Sequence, residues 1–518
     1  MKLNSYAKVL KETFEKYHIV AKNSPSSVNP IVSELASWYE KFRNSIEYRE
    51  EEMILRASIE RILKRKLTLG DKNKVGEDLV KELVWAQHIP EENANEENIA
   101  KVRESIRLHL ELKKRLSQKN IKEINISSFI NNILSSDIEN ILSPSVERET
   151  IEKYIFHILK KNLNISDGED EDENVQLFIA IKKAYSKNDQ ALIEYNLFKQ
   201  YFGELSADNL EDTAENFQKG IIVIKNQLNY KLRYQILNYV KRQIPPFLIL
   251  EDILRKDPNS LELIETNESA FNALVEESCK TRYNTINSKV RRAIIRSLIF
   301  IALSKVLFAF SIEATYDNIV HGHIFWIPLI VNILSPILVM VVVGLLIRVP
   351  GEKNTNEILR RIHILISDEN PIVGKKLIIK KNDERTKSSL YTFFSVLSIT
   401  GFSVSIGLIV LLLMRFNFTL ASQGIFIFFL SIVSFLAYRI NQTAQTYTVV
   451  ERQHLFTPII DLFFMPIARV GRKLTESISQ INIFLFILDF LIETPFKGLV
   501  SFFEQWFFFL HSKRDGLG

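Results

Sequence analysis

At 518 residues, 46% hydrophobic and with a formal net charge of +5, the chain is long enough for one or two aqueous domains beside a membrane region. Its single cysteine, Cys279, excludes an internal disulfide and fits a reducing cytosol. The positive charge lies largely beside apolar stretches, where anionic lipid accounts for it, and no basic stripe with interleaved aromatics points to nucleic acid, which is not expected as a partner.

Met1–Val20 is polar and amphipathic and has no apolar h-region, so no cleavable signal is expected and the first span must serve as its own insertion signal. Asn23–Pro30 is a Ser/Pro/Asn linker between a short first helix and a longer one around Ile31–Leu67. Scarce glycine, rare strand-like alternation and abundant Leu, Lys, Glu and Ile make the part before the spans all-helical. Helices are expected near Lys74–Gln87 and Glu96–Ser117, and Ser143-Pro144 reads as a cap and first helical position. The acidic run Asp167–Glu173 lacks the alternating ligand spacing of a calcium loop and reads as a solvated linker, placing a subdomain boundary between 1–166 and 167–266. Asp208 with Glu211 forms a capping box for one long helix reaching Gln243, ended by Pro245-Pro246.

The last helix before the membrane has a stripe of Phe271, Leu274, Val275, Arg282, Tyr283, Ile286, Val290 and Ile294 at three-and-four spacing. With no Gly or Pro from Asn259 to Ile312, it is expected to run from the cytosol as a stalk (267–296) into the first span; a packed helix broken near Asn287-Ser288 is the alternative.

Four apolar stretches follow within 297–440. Ile324–Ile347, Ser389–Met414 and Phe416–Tyr438 each exceed the ~20 residues a helix needs to cross hydrocarbon. Ser297–Ile312 is shorter and contains Lys305, so loop charge decides it. Arg348, Lys353, Arg360, Arg361, Lys375, Lys376, Lys380, Lys381, Arg385 and Lys387 crowd the loop 348–388, whereas Glu313–His323 has no Lys or Arg. Basic loops stay cytoplasmic. Four spans in the plasma (inner) membrane, with both termini cytoplasmic and Glu313–His323 as an outer loop, satisfy every flank except Arg415.

The tail 441–518 is cut by Pro458, Pro466 and Pro495 into apolar pieces too short to span. Lys497, Ser501, Glu504, Gln505 and Ser512 oppose Leu499, Val500, Phe503, Trp506, Phe507 and Leu510, the pattern of a helix in the membrane interface. Lys497, Phe503, Trp506 and Phe507 are its candidate interface residues. The middle piece repeats the pattern with Thr457, Asp461, Arg469, Arg472, Glu476 and Gln480, and docking on protein is the competing arrangement.

Catalytic motifs are absent. No G-x-x-x-x-G-K-S/T loop and no H-E-x-x-H occurs, and no cofactor is expected. Gly401-x-Ser403-x-Ser405 lacks the last glycine of a nucleophile elbow and lies within a span. Pairing Gly401 with Ser405 and Ser403 with Gly407 gives small residues four apart, which suit close helix packing. His321-x-His323 near Glu313 and Asp317 is read as a solvated loop, with no metal expected. Lys305 and Asn332 are the candidate intramembrane polar site, Asn332 being bracketed by Pro328 and Pro336. A kinked packing helix with one interhelical hydrogen bond is the plainer arrangement, and the spans show no inverted repeat.

Two blocks, Ile54-Leu-Arg-Ala-Ser-Ile-Glu-Arg-Ile-Leu-Lys-Arg-Lys-Leu67 with Leu83-Val-Trp-Ala86, and Phe464-Met-Pro-Ile-Ala-Arg-Val-Gly-Arg472 with Leu488-Asp-Phe-Leu-Ile-Glu-Thr-Pro-Phe496, resemble a family of multi-span membrane proteins of small-genome, candidate-phylum bacteria. The resemblance covers the two ends and implies a lineage, without an activity or site residues. The expected function is a membrane-anchored scaffold or adaptor whose cytosolic helices bind other proteins. A small-solute or ion transport component is second and a membrane-surface enzyme third. Expected partners are the bilayer, anionic lipid included, and proteins bound by the cytosolic domain, with homo-oligomerisation open.

Overall fold

The computed structural model describes the chain apart from residues 1, 19–33, 35–53, 70–73, 120–124, 167–169, 373–375, 381–383, 451–463, 475–497, 499–501, 504, 507–508 and 510–518, and apart from the side chains of 17–18, 69, 164–166, 170–171, 378–380, 384–391, 394 and 398. The fold is all-α, with one pair of four-residue strands among the described residues, β1 (Leu163–Ser166) and β2 (Leu377–Lys380). The chain forms two compact units: Met1–Glu265 with 364–379 and 485–518, and Thr266–His363 with 380–484.

In the first unit the helices are α1 (Ser5–His18), α2 (Ile54–Leu69), α3 (Val75–Trp85), α4 (Glu96–Ser117), α5 (Ile126–Leu142), α6 (Val146–Lys160), α7 (Asp170–Ala184), α8 (Gln190–Phe202), α9 (Leu210–Leu228), α10 (Arg233–Gln243) and α11 (Pro245–Lys256). α4 shows how sequence makes a helix here. The Asn95 side chain accepts from Asn98 N, Glu96 and Glu97 sit at the positive end of the helix dipole, and Lys114 and Arg115 sit at the negative end. Such a cap contributes about 1 kcal/mol. The stripe Val102, Ile106, Leu112 and Leu116 spans two cores. Its first half joins Ile59 of α2, Leu79 of α3 and Ile138 of α5, and its second half joins Phe198 of α8 with Phe217 and Ile221 of α9.

Four local expectations change. The acidic run is not all linker: from Asp170 it opens α7, where carboxylates favour the helix N-terminus, and the residues on both sides fall in one compact unit. Ser143 ends α5, and α6 begins at Val146 behind Ser145, two residues later than expected. The capping box is not used. Asn209 precedes α9, and its side chain accepts from Ser206 N. Nor is the following helix continuous to Gln243: it breaks at Asn229, which caps α9, and the turn lets α10 pack against α7. Pro245 and Pro246 then occupy the first positions of α11, where their missing N–H groups cost nothing.

The second unit is built on α12 (Glu268–Phe308), which continues through a π-turn (Ala309–Glu313) into α13 (Ala314–His321). Asn267 caps α12, accepting from Ala270 N, and no break occurs at Asn287-Ser288. The expected stripe is the buried one, through Phe271, Val275, Ile286 and Val290, with Ser278 and Cys279 added. Next come α14 (Trp326–Leu346), α15 (Glu352–Ser367), α16 (Glu384–Arg415) and α17 (Leu420–Ala444). Among the described residues, four helical stretches are long and apolar enough to cross a membrane: Glu268–His321, Trp326–Leu346, Ser395–Arg415 and Leu420–Ala444. Asn354 of α15 ties this unit together. Its amide donates to the Tyr283 hydroxyl (2.9 Å) and to the Tyr447 carbonyl (2.8 Å) and accepts from Val449 N (2.7 Å).

Part of the tail is described. Residues 464–474 are helical, with Ile467, Ala468 and Gly471 buried and Arg469 and Arg472 exposed. A Cβ added at Gly471 would collide with the Ser431 carbonyl oxygen, so this stretch packs backbone-close on α17 as only glycine allows. Phe503 and Trp506 are helical and exposed, whereas Lys497 and Phe507 lie outside the described residues.

Candidate functional site

The two polar residues singled out within the spans meet. The Lys305 ammonium donates to Asn332 Oδ1 (2.7 Å) and stands 4.5 Å from the centre of the Phe429 ring. Asn332 Nδ2 donates to Glu313 Oε2 (2.8 Å) and to the Ser422 carbonyl (3.1 Å). One turn further, Asp317 Oδ1 accepts from the Thr419 hydroxyl (3.0 Å), which lies 3.0 Å from the Ser422 hydroxyl. Lys305, Glu313, Asp317, Asn332 and Ser422 are each 0% exposed. Three helical runs therefore converge on one closed polar cluster: α12–α13, α14 and α17.

The π-turn makes this possible. In an unbroken α-helix, at about 100° per residue, Glu313 would sit about 80° and Asp317 about 120° around from Lys305. The wider turn at Ala309–Glu313 absorbs one residue, which brings both carboxyls to within about 20° of the lysine's face. Proline supplies the other half of the geometry. Pro336 has no N–H for the Asn332 carbonyl, so α14 loses a helical bond beside the asparagine. Thr419 caps α17, its side chain accepting from Ser422 N, and so points its hydroxyl at α13.

Magnitudes explain why Lys305 can lie here with a neutral amide as its hydrogen-bond partner. A mid-helix cation costs on the order of 2.5–3.5 kcal/mol on insertion scales. A hydrogen bond to a charged group returns about 1.5–3 kcal/mol, and a desolvated cation–π contact about 2 kcal/mol. The sum is close to neutral.

The region read as an outer loop is thus corrected: Glu313–His321 is helical, and both of its acids turn inward. Sequence reading found Lys305 and Asn332 but missed Glu313, Asp317, Thr419, Ser422 and Phe429. The available signal was two carboxyls at i, i+4, set between the apolar run ending at Ile312 and Ile319-Val320. The expected single interhelical bond is instead a cluster. His321 and His323 are exposed, and among the described residues no three His, Cys, Asp or Glu side chains gather to hold a metal.

The small residues singled out in α16 are Gly401, Ser403, Ser405 and Gly407. The Ser405 hydroxyl donates to the Gly401 carbonyl of its own helix (2.8 Å). Ser403 and Gly407 are exposed, and a Cβ at Gly407 would meet nothing within 4 Å. The first unit has a separate concavity of about 560 Å³, lined among others by Lys153, Phe156, Phe178, Ile181, Tyr195 and Gln200. Compared with known proteins, the chain matches no family model, no curated protein and no solved structure.

Proposed function

We propose that this protein is a membrane-anchored scaffold or adaptor, held in the plasma membrane by four spans with both termini in the cytoplasm, whose first unit binds other proteins. The observation that carries this reading is how the polar groups of the spans are used. Lys305, Asn332, Glu313 and Ser422 are fully buried and bonded to one another, as suits an anchor that must hold its helices in register. The basic loop 348–388 supports the orientation, and the concavity lined by Phe156 and Tyr195 offers the first unit a place for a partner's apolar side chain.

Photo-crosslinking residues placed in the full-length chain in cells test it. At Lys153 or Gln200, both exposed at the concavity, they are expected to capture a small, reproducible set of cytosolic proteins, whereas the same residue at Gly322 captures none of them. Lys305→Leu should leave that set unchanged. A transport component, the rival reading, would show no specific capture at Lys153 or Gln200 and would lose its cellular phenotype with Lys305→Leu.

A further inference from the structure

The closed cluster has an unbalanced set of charges. It contains one ammonium, on Lys305, and two carboxyls, on Glu313 and Asp317, all buried. Among the described residues nothing else charged faces it. α14 has no ionisable side chain, and α17 has only Tyr438 and Arg439, about four turns from Ser422. Arg415, at the end of α16, is exposed, and Tyr316 turns to the exposed His321 ring. Arg296 lies about 14 Å back along α12. Ionised throughout, the cluster would hold a net negative charge away from water.

The hydrogen bonds show where the imbalance falls. Each carboxyl has one oxygen with a donor, from Asn332 Nδ2 to Glu313 Oε2 and from Thr419 Oγ to Asp317 Oδ1. Glu313 Oε1 and Asp317 Oδ2 are buried without any hydrogen-bond partner. A neutral carboxyl tolerates an idle buried oxygen far better than an ionised one, because the cost of leaving water grows with charge.

We propose that Glu313 and Asp317 jointly hold one proton, forming an intramembrane proton-binding site whose occupancy is set by the charge of Lys305. The chemistry is one O–H bond made from a carboxylate and a proton of the solvent, and broken in reverse. Ionised Asp317 accepts from Thr419, which then accepts from Ser422. Protonated Asp317 can donate to Thr419, which then donates to Ser422, and the 3.0 Å spacings serve both directions. Proton gain or loss is therefore felt at the start of α17. This inference is independent of the scaffold reading.

Infrared difference spectroscopy of the full-length protein in lipid vesicles at neutral pH tests the site through the C=O stretch of protonated carboxyls. Wild type minus Glu313→Gln, and wild type minus Asp317→Asn, should each show the loss of one protonated carboxyl per chain, since the remaining carboxylate then balances Lys305. Lys305→Met should instead gain one. The buried carboxyl of Glu139 cancels in these differences. If a variant fails to insert, isotope labelling of Asp and Glu carboxyls in a Glu139→Gln chain gives the same reading. No protonated carboxyl from the cluster in any of these spectra, or carboxylate bands that shift with sodium in its place, would overturn the proposal.

Discussion

The first unit and the candidate spans keep their polar groups in opposite places, for one physical reason. In the first unit Phe14, Phe198, Phe217 and Phe247 are buried and most charges are outside. In the spans Leu345 is 79% exposed and Leu420 81%, while Lys305, Glu313, Asp317 and Asn332 are wholly inside. The exposed surfaces differ, but the rule is shared: a buried polar group must be partnered. The partners differ too. Arg56, the buried cation of the first unit, meets carboxylates directly, at Asp189 (2.6 Å) and Glu60 (2.9 Å), with the Ser135 hydroxyl 3.2 Å away. Lys305 reaches its nearest bonded carboxylate only through the Asn332 amide. A guanidinium has five donors to satisfy and an ammonium three, so the arginine needs the richer set of acceptors.

Breaking the arginine cluster should have the largest effect. Arg56→Met takes the guanidinium from Asp189, which keeps the Leu192 N–H, and from Glu60, which keeps Lys64, and is expected to destabilise the first unit by about 3–5 kcal/mol. Urea titration of the full-length protein in mild detergent, read by pulse proteolysis, measures this. A loss below about 1 kcal/mol would mean that water replaces the guanidinium, and the contrast with the spans would fail.

Glu139, beside that cluster, sharpens the comparison through pH. Burial raises its carboxyl from the ordinary 4.5 to about 7, against the opposing pull of Arg56. Between these values the folded state keeps a proton that the unfolded state has released. Its contribution to stability is therefore complete below about pH 4.5 and is lost as pH rises through about 7, on the order of 3 kcal/mol in all. Glu139→Gln should flatten that part of the stability–pH curve; an unchanged slope would show that the carboxyl is solvated.

The smallest expected effect is in the candidate spans. Asn332→Leu removes the amide that joins Lys305 to Glu313 and should cost about 1–3 kcal/mol, measured by unfolding of the spans in mixed micelles. The cost is held down because the two freed groups can turn toward each other. A loss as large as that of Arg56→Met would mean that the lysine relies on its neutral partner as fully as the arginine relies on its carboxylates.

Much was legible where the physics is local. The expected bounds of α4, Glu96–Ser117, are those observed, because its cap, end charges and apolar stripe all lie within the helix. The stalk stripe was legible for the same reason. Readings failed where a neighbour decides. The Asp208–Glu211 capping box had the right residues, but Asn209 is bonded into the preceding turn. Packing of α10 on α7 divided the helix expected to reach Gln243. Local spacing gave Gly471 no role, and only the backbone of α17 against it shows why a side chain does not fit.

By itself the sequence determined the helical class, the four apolar stretches and the cost of Lys305 and Asn332 within them, because hydropathy and periodicity are properties of neighbouring residues. Only the tertiary structure decided that Lys305, Asn332, Glu313 and Ser422 form one cluster. That outcome depends on a one-residue change of helical register at Ala309–Glu313 and on the meeting of three helices, neither of which is encoded in local spacing.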